Sequence, residues 1–474
     1  MKDFYSPNDF IEGSDSARIQ AAIDAASNEG CNCVVIPKCN QKSNTYRWVI
    51  DHTILLPSDM TLILDNCYLI MADGVMCRMF QTKYTETENG NSLLYEHKNI
   101  HIIGRGTATL DGGNDNGLNE FTSQKNGFPL ITHNLLIFFH NIRGFVIDNL
   151  TIRNQRWWAI EFLFASEGQI RNIHFELDNI DSTATWRNQD GIDLRVGCHD
   201  ILIENISGET GDDSIALTAL MRPGSHEFDL WVREKESDIH DVVIRNIRCR
   251  SHMCAIIRLL NQCGHKIYNI TMDTIVDASQ TGITPKTQKV LRIGEDSYYQ
   301  NHAQRAKPGD MYNIFINNIH SRALSAIHLE MAVKNLHASN IYVHHDGQHA
   351  VTFGVLNVTQ KIKMFEPKNW EQERHQTLSP SDETWAASHN EWEEDNRNNA
   401  NLPGLYAENI LIEHIYYTAE QNTEKFTPTL FAFYNTECKN VVLKNIHADE
   451  TVRLIECFDA DLPQGVTIEP EITT

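Results

Sequence analysis

A short motif of alternating aliphatics ending in Asn-Ile or Asn-Leu returns along this chain, and its spacing restricts the fold more than any other feature. With the Asn as marker, or the His that replaces it at 414, it falls at 149, 172, 205, 246, 269, 318, 340, 414 and 445. The differences are 23, 33, 41, 23, 49, 22, 74 and 31, so the shortest step is 22 or 23 and the longer ones read as the same unit with loops inserted. Short β units of this length, each with a turn Asn that can stack on the next, predict a single-stranded right-handed parallel β-helix, an all-β solenoid. Leucine-rich repeats share the period, but their Leu-x-x-Leu-x-Leu signature is missing.

A second register agrees with the first. Strands after the markers carry aliphatic or aromatic residues two apart: Ile160/Phe162, Ile192/Leu194, Ile215/Leu217, Ile257/Leu259, Leu291/Ile293, Ile327/Leu329 and Val351/Phe353. Side chains alternate across a strand, so these point inward. The residues between them, Glu161, Asp193, Ala216, Arg258, Arg292, His328 and Thr352, form one outward stripe that changes from acidic to basic.

Before the repeats, Ser14–Ala26 reads as a helix: Ser14 or Asp15 can cap it, and Ile19, Ala22, Ile23 and Ala26 share a face. We assign residues 14–28 as a capping helix over one end of the solenoid. The repeats continue so far that the whole chain, 1–474, reads as one domain. The longest insertion, 364–403, holds Trp370, Trp385 and Trp392 and reads as a surface loop packed on its own tryptophans, with a lid or subunit contact as the sharper alternative.

Composition removes several functions. A net charge of −23 argues against nucleic acid, which requires clustered Lys and Arg, and mildly against a polyanionic substrate. No apolar run is long enough to span a membrane, and residues 1–6 lack a signal-peptide core, so a cytoplasmic location is expected. Eleven scattered cysteines favour reduced thiols over a disulfide framework. Cys31, Cys33 and Cys39 come nearest to a metal spacing but lack a second cluster, and no metal or cofactor is expected.

The chemistry concentrates in Asn188-Gln189-Asp190-Gly191-Ile192-Asp193 and Gly211-Asp212-Asp213-Ser214-Ile215-Ala216-Leu217. Asp190 to Asp213, Ile192 to Ile215 and Leu194 to Leu217 are all offset by 23. One solenoid turn therefore puts Asp190 and Asp213 on neighbouring strands, about 4.8 Å apart, with Asp212 beside them. Asp at a strand start often only caps a turn. Neighbouring carboxylates can also divide the work of glycosidic cleavage, one donating a proton to the leaving oxygen and another activating water or attacking.

These two stretches resemble the Asn-Thr-Asp-Gly and Gly-Asp-Asp motifs of glycoside hydrolase family 28, the polygalacturonases, on the pectin-lyase-like β-helix. Asn154-Gln155-Arg156-Trp157-Trp158 resembles that family's Asn-Ser-Pro-x-Trp segment, and residues 16–37 resemble its N-terminal opening. The resemblance, spanning about residues 12–350, implies Asp212 as general acid and Asp190 with Asp213 as the water-activating pair of an inverting, metal-free hydrolysis. It also implies His252, the remnant of a Gly-His-Gly motif, as catalytic, and Asn188, Trp158 and Arg292 as substrate-binding. Arg292-Ile293-Gly294 keeps the Arg of an Arg-Ile-Lys motif and loses the Lys. Thr218 stands where many bacterial members carry another Lys. Arg258, on the same stripe as Arg292, is the candidate to compensate. The expected substrate is an oligosaccharide, pectin-type or otherwise uronate-containing and attacked from one end. A neutral-sugar hydrolase, a pectate-lyase-like eliminase and a non-catalytic sugar-binding β-helix remain open, as does the oligomeric state.

Overall fold

The computed structural model describes residues 2–119, 122–124, 126–178, 188–220, 229–280, 287–295, 305–345, 349–354, 405–419, 428–457 and 461–469. The insertion assigned to 364–403 lies outside the described residues. The described chain forms two compact units, Met1–Ile256 and Ile257–Thr474, each built from parallel strands stacked coil on coil. The fold is the expected right-handed parallel β-helix with an N-terminal helix. No described helix is long and apolar enough to cross a membrane.

In the first unit the helix runs Asp15–Glu29. Ser14 caps it by accepting the Ala17 N–H at 3.4 Å, and Gly30 ends it in the left-handed region at φ 75°. Ile19, Ala22, Ile23 and Ala26 are buried as predicted. Arg18 is buried with them, its guanidinium 2.7 Å from Asp15 and 2.5 Å from Asn40, so the helix also covers a closed polar network.

The coils follow in strict register. Ile137–Arg153 pairs with Ile160–Glu176, which pairs with His199–Thr210, which pairs with Ile239–Ser251. The predicted inward pairs Ile160/Phe162, Ile192/Leu194 and Ile215/Leu217 are fully buried. Phe139 and Phe145 join Phe162 on the inside, with Phe145 and Phe162 stacked at 4.5 Å between centroids. Stacked rings add to the large apolar area that each aromatic removes from water.

Each long strand bends at residues in the left-handed region. The Asn markers occupy such corners, at φ 58° for Asn149, 55° for Asn172 and 56° for Asn205 and Asn246. Asn tolerates this conformation better than other side-chain-bearing residues, and its amide can bond to the coil below. Asn172 donates to Asp148 at 2.7 Å, Asn205 to Asn172 at 3.0 Å and Asn246 to Asn205 at 2.5 Å.

A second corner, five residues earlier, escaped the sequence reading. Gly144, Glu167, Asp200 and Asp241 are all at positive φ. The second unit repeats the device, with corners at 269/274, 313/318, 335/340, 409/414 and 440/445. Asn269 pairs by register with the column of Asn313, Asn335, Asn409 and Asn440, linked by amide bonds of 2.9–3.2 Å. The marker column there starts at Thr274, so assigning Asn269 to it is corrected. Both corners can be followed by Ile, which is why the motif alone did not separate them.

In the second unit the pairs Ile257/Leu259, Leu291/Ile293, Ile327/Leu329 and Val351/Phe353 are likewise fully buried. Arg292, His328 and Thr352 follow one another in register on the outer side.

The amide ladder is testable at Asn205, which is exposed and bonded on both sides. Asn205→Ala removes two hydrogen bonds and leaves a side-chain-bearing residue at φ 56°, so we expect about 1–3 kcal/mol of destabilisation. Asn205→Gly restores the backbone freedom and is expected to lose less. Urea denaturation midpoints of the two variants check the order.

Candidate active site

The acids gather in the first unit because two glycines let adjacent coils approach. A Cβ on Gly191 would stand 2.4 Å from the Ser214 carbonyl oxygen and 3.0 Å from the Phe175 ring; one on Gly211 would stand 2.9 Å from the Gln189 Cβ. Neither position can take a side chain without moving a neighbouring coil. With the glycines in place, the Gly191 N–H reaches the Asp213 carbonyl at 2.9 Å, and Ile192-Asp193-Leu194 pairs with Ile215-Ala216-Leu217.

That register sets Asp190 and Asp213 one above the other. Asp190 Oδ1 accepts the Asp213 N–H at 3.1 Å, and Asp213 Oδ1 accepts the Ala255 N–H at 3.0 Å. Both residues are fully buried. The turn-capping role that Asp often plays is therefore real here: one oxygen of each carboxylate ties its coil to the next through a charge-assisted bond. Asp212 is half-buried. It and Asp213 each bring a carboxylate oxygen, and Cys254 its Sγ, within 4.8 Å of one another. Two acids and a thiol could meet a soft divalent cation there.

The strand starts are clamped by Gln189 and Gln155, which lie inside the quoted motifs but carry no assigned role there. Gln189 Nε2 donates to the Gln155 carbonyl at 2.6 Å, and Gln155 Nε2 donates to the Gln189 carbonyl at 3.3 Å. Asn188 is half-buried immediately before this clamp. Beside it a depression of about 270 Å³ is lined by Asp111, Asp115, Asp178, Asn114, Asn154 and Gln189, among others.

Trp158 is 6% exposed, stacked on Trp157 at 3.9 Å with the Arg195 guanidinium 4.9 Å from its ring. It belongs to an apolar cluster with Phe138, Leu163, Phe164, Val196 and Val232. Its aromatic surface is thus engaged within the protein. The outward residues Glu161, Asp193 and Ala216 are also fully buried, so in this unit the predicted stripe is covered, not open.

His252 is 7% exposed. Its N–H donates to the Thr210 carbonyl at 3.0 Å, and the Thr210 hydroxyl donates to the Asp212 carbonyl at 2.9 Å, which places it next to the acids along the backbone. Its Nε2 is 2.9 Å from Glu209. Burial lowers the imidazole pKa, against the opposing pull of that carboxylate.

Arg258 and Arg292 belong to the second unit, where each meets an acid that the sequence reading missed. Arg258 is 3.3 Å from Glu295; Arg292 is 2.7 Å from both Glu295 and Glu330. Lys289 and His328 approach Glu330 at 3.7 and 3.5 Å. Burial would raise the Glu330 pKa, but Arg292, His328 and Lys289 hold it far below the usual carboxylate range. The guanidinium charges of this stripe are balanced by carboxylates of the unit itself.

Fold and acid cluster together define a right-handed parallel β-helix with three aspartates gathered on adjacent coils. The family model Glycosyl hydrolases family 28 matches residues 51–225, which bears out the polygalacturonase-like resemblance over the coils that hold Asp190, Asp212 and Asp213. No curated protein matches the chain in sequence. Among solved structures, the chain is similar to a hyperthermoactive exopolygalacturonase from Thermotoga maritima, with 16% identity, 72% of this chain and 87% of that one covered, and a TM-score of 0.49. It is also similar to the surface adhesin PfbA of Streptococcus pneumoniae (13% identity, 96% and 99% covered, TM-score 0.56). A third is the A-module of the mannuronan C-5 epimerase AlgE6 from Azotobacter vinelandii (12% identity, 99% and 100% covered, TM-score 0.53). The two likenesses with TM-scores above 0.5 show the fold, and none of the three shows more.

The second unit makes a pH prediction. Burial holds the His328 pKa down at about 4, so its neutral form is favoured in the fold. An unfolded His takes up its proton near pH 6.5. Stability from this residue is therefore present above about pH 6.5 and lost as pH falls from there toward 4. The depressed Glu330 adds to the loss at lower pH. Denaturation midpoints of the whole chain should fall across that window, and His328→Gln should flatten the fall.

Proposed function

We propose that this chain is a glycosidase that cleaves an oligosaccharide from one end, with Asp212 as general acid and Asp190 and Asp213 activating the attacking water. The observation that carries the reading is the register that stacks Asp190 on Asp213 while Asp212 and Asp213 bring carboxylate oxygens within 4.8 Å. Asp212 is the only one of the three with partial exposure, as a group protonating a leaving oxygen needs. Asp190 and Asp213 are held by backbone N–H groups of the following coil, which keeps the orientation of both constant.

Inversion is proposed from the family resemblance. Inverting enzymes usually leave roughly 6.5–9.5 Å between acid and base, and retaining ones about 5–5.5 Å. The approach of Asp212 to Asp213 is at or below the shorter range, so water would have to enter on the Asp190 flank. The stereochemistry of the product separates the two cases directly.

A neutral-sugar substrate is the second reading, and two observations favour it. Arg258 and Arg292 are balanced by Glu295 and Glu330, and the depression beside Gln189 is lined by three Asp residues. Carboxylates accept hydrogen bonds from sugar hydroxyls and repel a uronate.

Proton NMR of fresh product from oligogalacturonides and from neutral plant-wall oligosaccharides, compared side by side, tests substrate and stereochemistry together. Product of inverted anomeric configuration is expected; retained configuration would overturn the assignment of Asp190 and Asp213. Asp212→Asn should reduce kcat by about 10²–10⁴-fold with KM little changed, the usual contribution of general acid catalysis. Full activity in that variant would sink the hydrolase reading.

A further inference from the structure

The clamp between Gln189 and Gln155 leaves one atom of Gln189 unused. Gln189 Nε2 donates to the Gln155 carbonyl at 2.6 Å, and a carbonyl only accepts, so the amide nitrogen faces Gln155 and the amide oxygen faces away from it. Gln155 returns the bond through its own Nε2 to the Gln189 carbonyl at 3.3 Å, which fixes both side chains. The Gln155 oxygen is shut off from solvent; the Gln189 oxygen is not, and it meets no hydrogen-bond donor among the described residues. Gln189 is only 4% exposed, and what it exposes lines the depression of about 270 Å³. A Cβ built on Gly211 would stand 3.0 Å from its oxygen, so the glycine keeps the space beside that atom clear. The same residue ties the depression to the acids, because the Gln189 carbonyl accepts the N–H of Gly211 at 3.1 Å and of Asp212 at 3.4 Å.

The rest of the wall is acidic. Asp178 is bonded by Asn154 Nδ2 at 3.0 Å and by the Arg153 guanidinium, and both hold its carboxyl below the usual range. Asp111 accepts the Gly113 N–H at 2.7 Å and the Tyr68 hydroxyl, and Asp115 completes the three. The cations nearby are already engaged: Arg153 with Asp178 and Glu176, Arg156 with the Ala72 and Val75 carbonyls. These acids are not gathered for a metal ion, since Asp212, Asp213 and Cys254 are the only such group close enough to share one among the described residues. Carboxylate and amide oxygens accept hydroxyl hydrogens, whereas a uronate would bring another negative charge among three. The volume lies just below the roughly 300–1,000 Å³ of sites for drug-sized ligands, so it takes one sugar ring and not several. We propose that Gln189 binds substrate: its Oε1 accepts a hydroxyl hydrogen of the glycosyl unit beside Asp212, and the depression holds that unit as a neutral ring and rejects a uronate. This inference rests on the hydrolase reading for its ligand, and it adds to that reading the residue, the atom and the class of sugar.

The test uses the full chain carrying Asp212→Asn, in which a bound saccharide persists. Calorimetry with oligogalacturonides, their methyl esters and neutral plant-wall oligosaccharides should show a neutral saccharide bound more tightly than any uronide of equal length. A free uronide bound as tightly as its own ester overturns the proposal. Binding should shift the side-chain amide resonances of Gln189 in ¹H–¹⁵N spectra, and saturation without that shift also overturns it. Gln189→Met keeps the length and loses the acceptor, so it should weaken the neutral saccharide about tenfold, the effect of one hydrogen bond. Unchanged affinity in that variant removes the role of Oε1. Because Gln189→Met also breaks the clamp with Gln155, Asp115→Asn provides a second variant in which the clamp stays intact. It should improve binding of the free uronide about two- to fivefold, the usual effect of one exposed charge, with the neutral saccharide little changed. No gain for the uronide overturns its rejection by the depression. A saccharide that the wild type hydrolyses while both variants bind it as before removes this inference and leaves the hydrolase reading standing; if no saccharide is bound or cleaved, both fall.

Discussion

Every feature of this protein depends on how closely one coil approaches the next. Parallel strands settle at about 4.8 Å, and that distance is reached only where corner residues turn the chain and nothing protrudes between layers. Gly191 and Gly211 supply the clearance at the acid cluster, and the left-handed corners supply the turns. Once coils stack at that spacing, a 23-residue offset in sequence becomes a contact in space. Asp190 reaches the Asp213 backbone because the coils are a full turn apart and no more. The same closeness that builds the core therefore brings the acids together.

Much of this could be read from the sequence, and the reasons are physical. Inward pairs such as Ile192/Leu194 and Ile215/Leu217 were visible because a strand's side chains alternate, and burial must follow alternation. The Asn markers were visible because few residue types accept the left-handed region. The second corner stayed hidden because in the first unit Gly144, Glu167, Asp200 and Asp241 repeat no single residue type, and in the second unit its Asn column carries the same Asn-Ile signature as the markers. The outward stripe was read correctly as a stripe, but its burial at Glu161, Asp193 and Ala216 was not legible. Alternation fixes the face on which Glu161 and Asp193 lie, but their full burial is a tertiary property that no local pattern encodes.

The arginines show the same limit in electrostatic form. Placing Arg258 and Arg292 on one stripe required only a count of residues. Their partners, Glu295 and Glu330, are 37 and 38 residues further on, and neither stands between two inward aliphatics. A buried guanidinium requires a counter-charge, because removing it from water unpaired costs several kcal/mol. Low exposure of Arg258 could therefore have been expected to bring an acid with it, had burial been known. A basic stripe in sequence is thus weak evidence for an anion site until its internal partners have been counted.

The division of labour proposed for the three acids follows from what each already does for the fold. Asp190 and Asp213 give one oxygen apiece to the backbone of the next coil, so their carboxylates cannot rotate away without loosening the stack. A base that must aim at a water in one fixed place is well served by such an anchor. Asp212 is half-exposed and stands beside the thiol of Cys254, and in the proposed hydrolysis it is the acid that would follow a leaving oxygen as the bond lengthens. The structural reading of Asp as a turn cap and the chemical reading as a catalytic group are therefore not rivals at Asp190 and Asp213. The cap holds the second oxygen where the chemistry needs it.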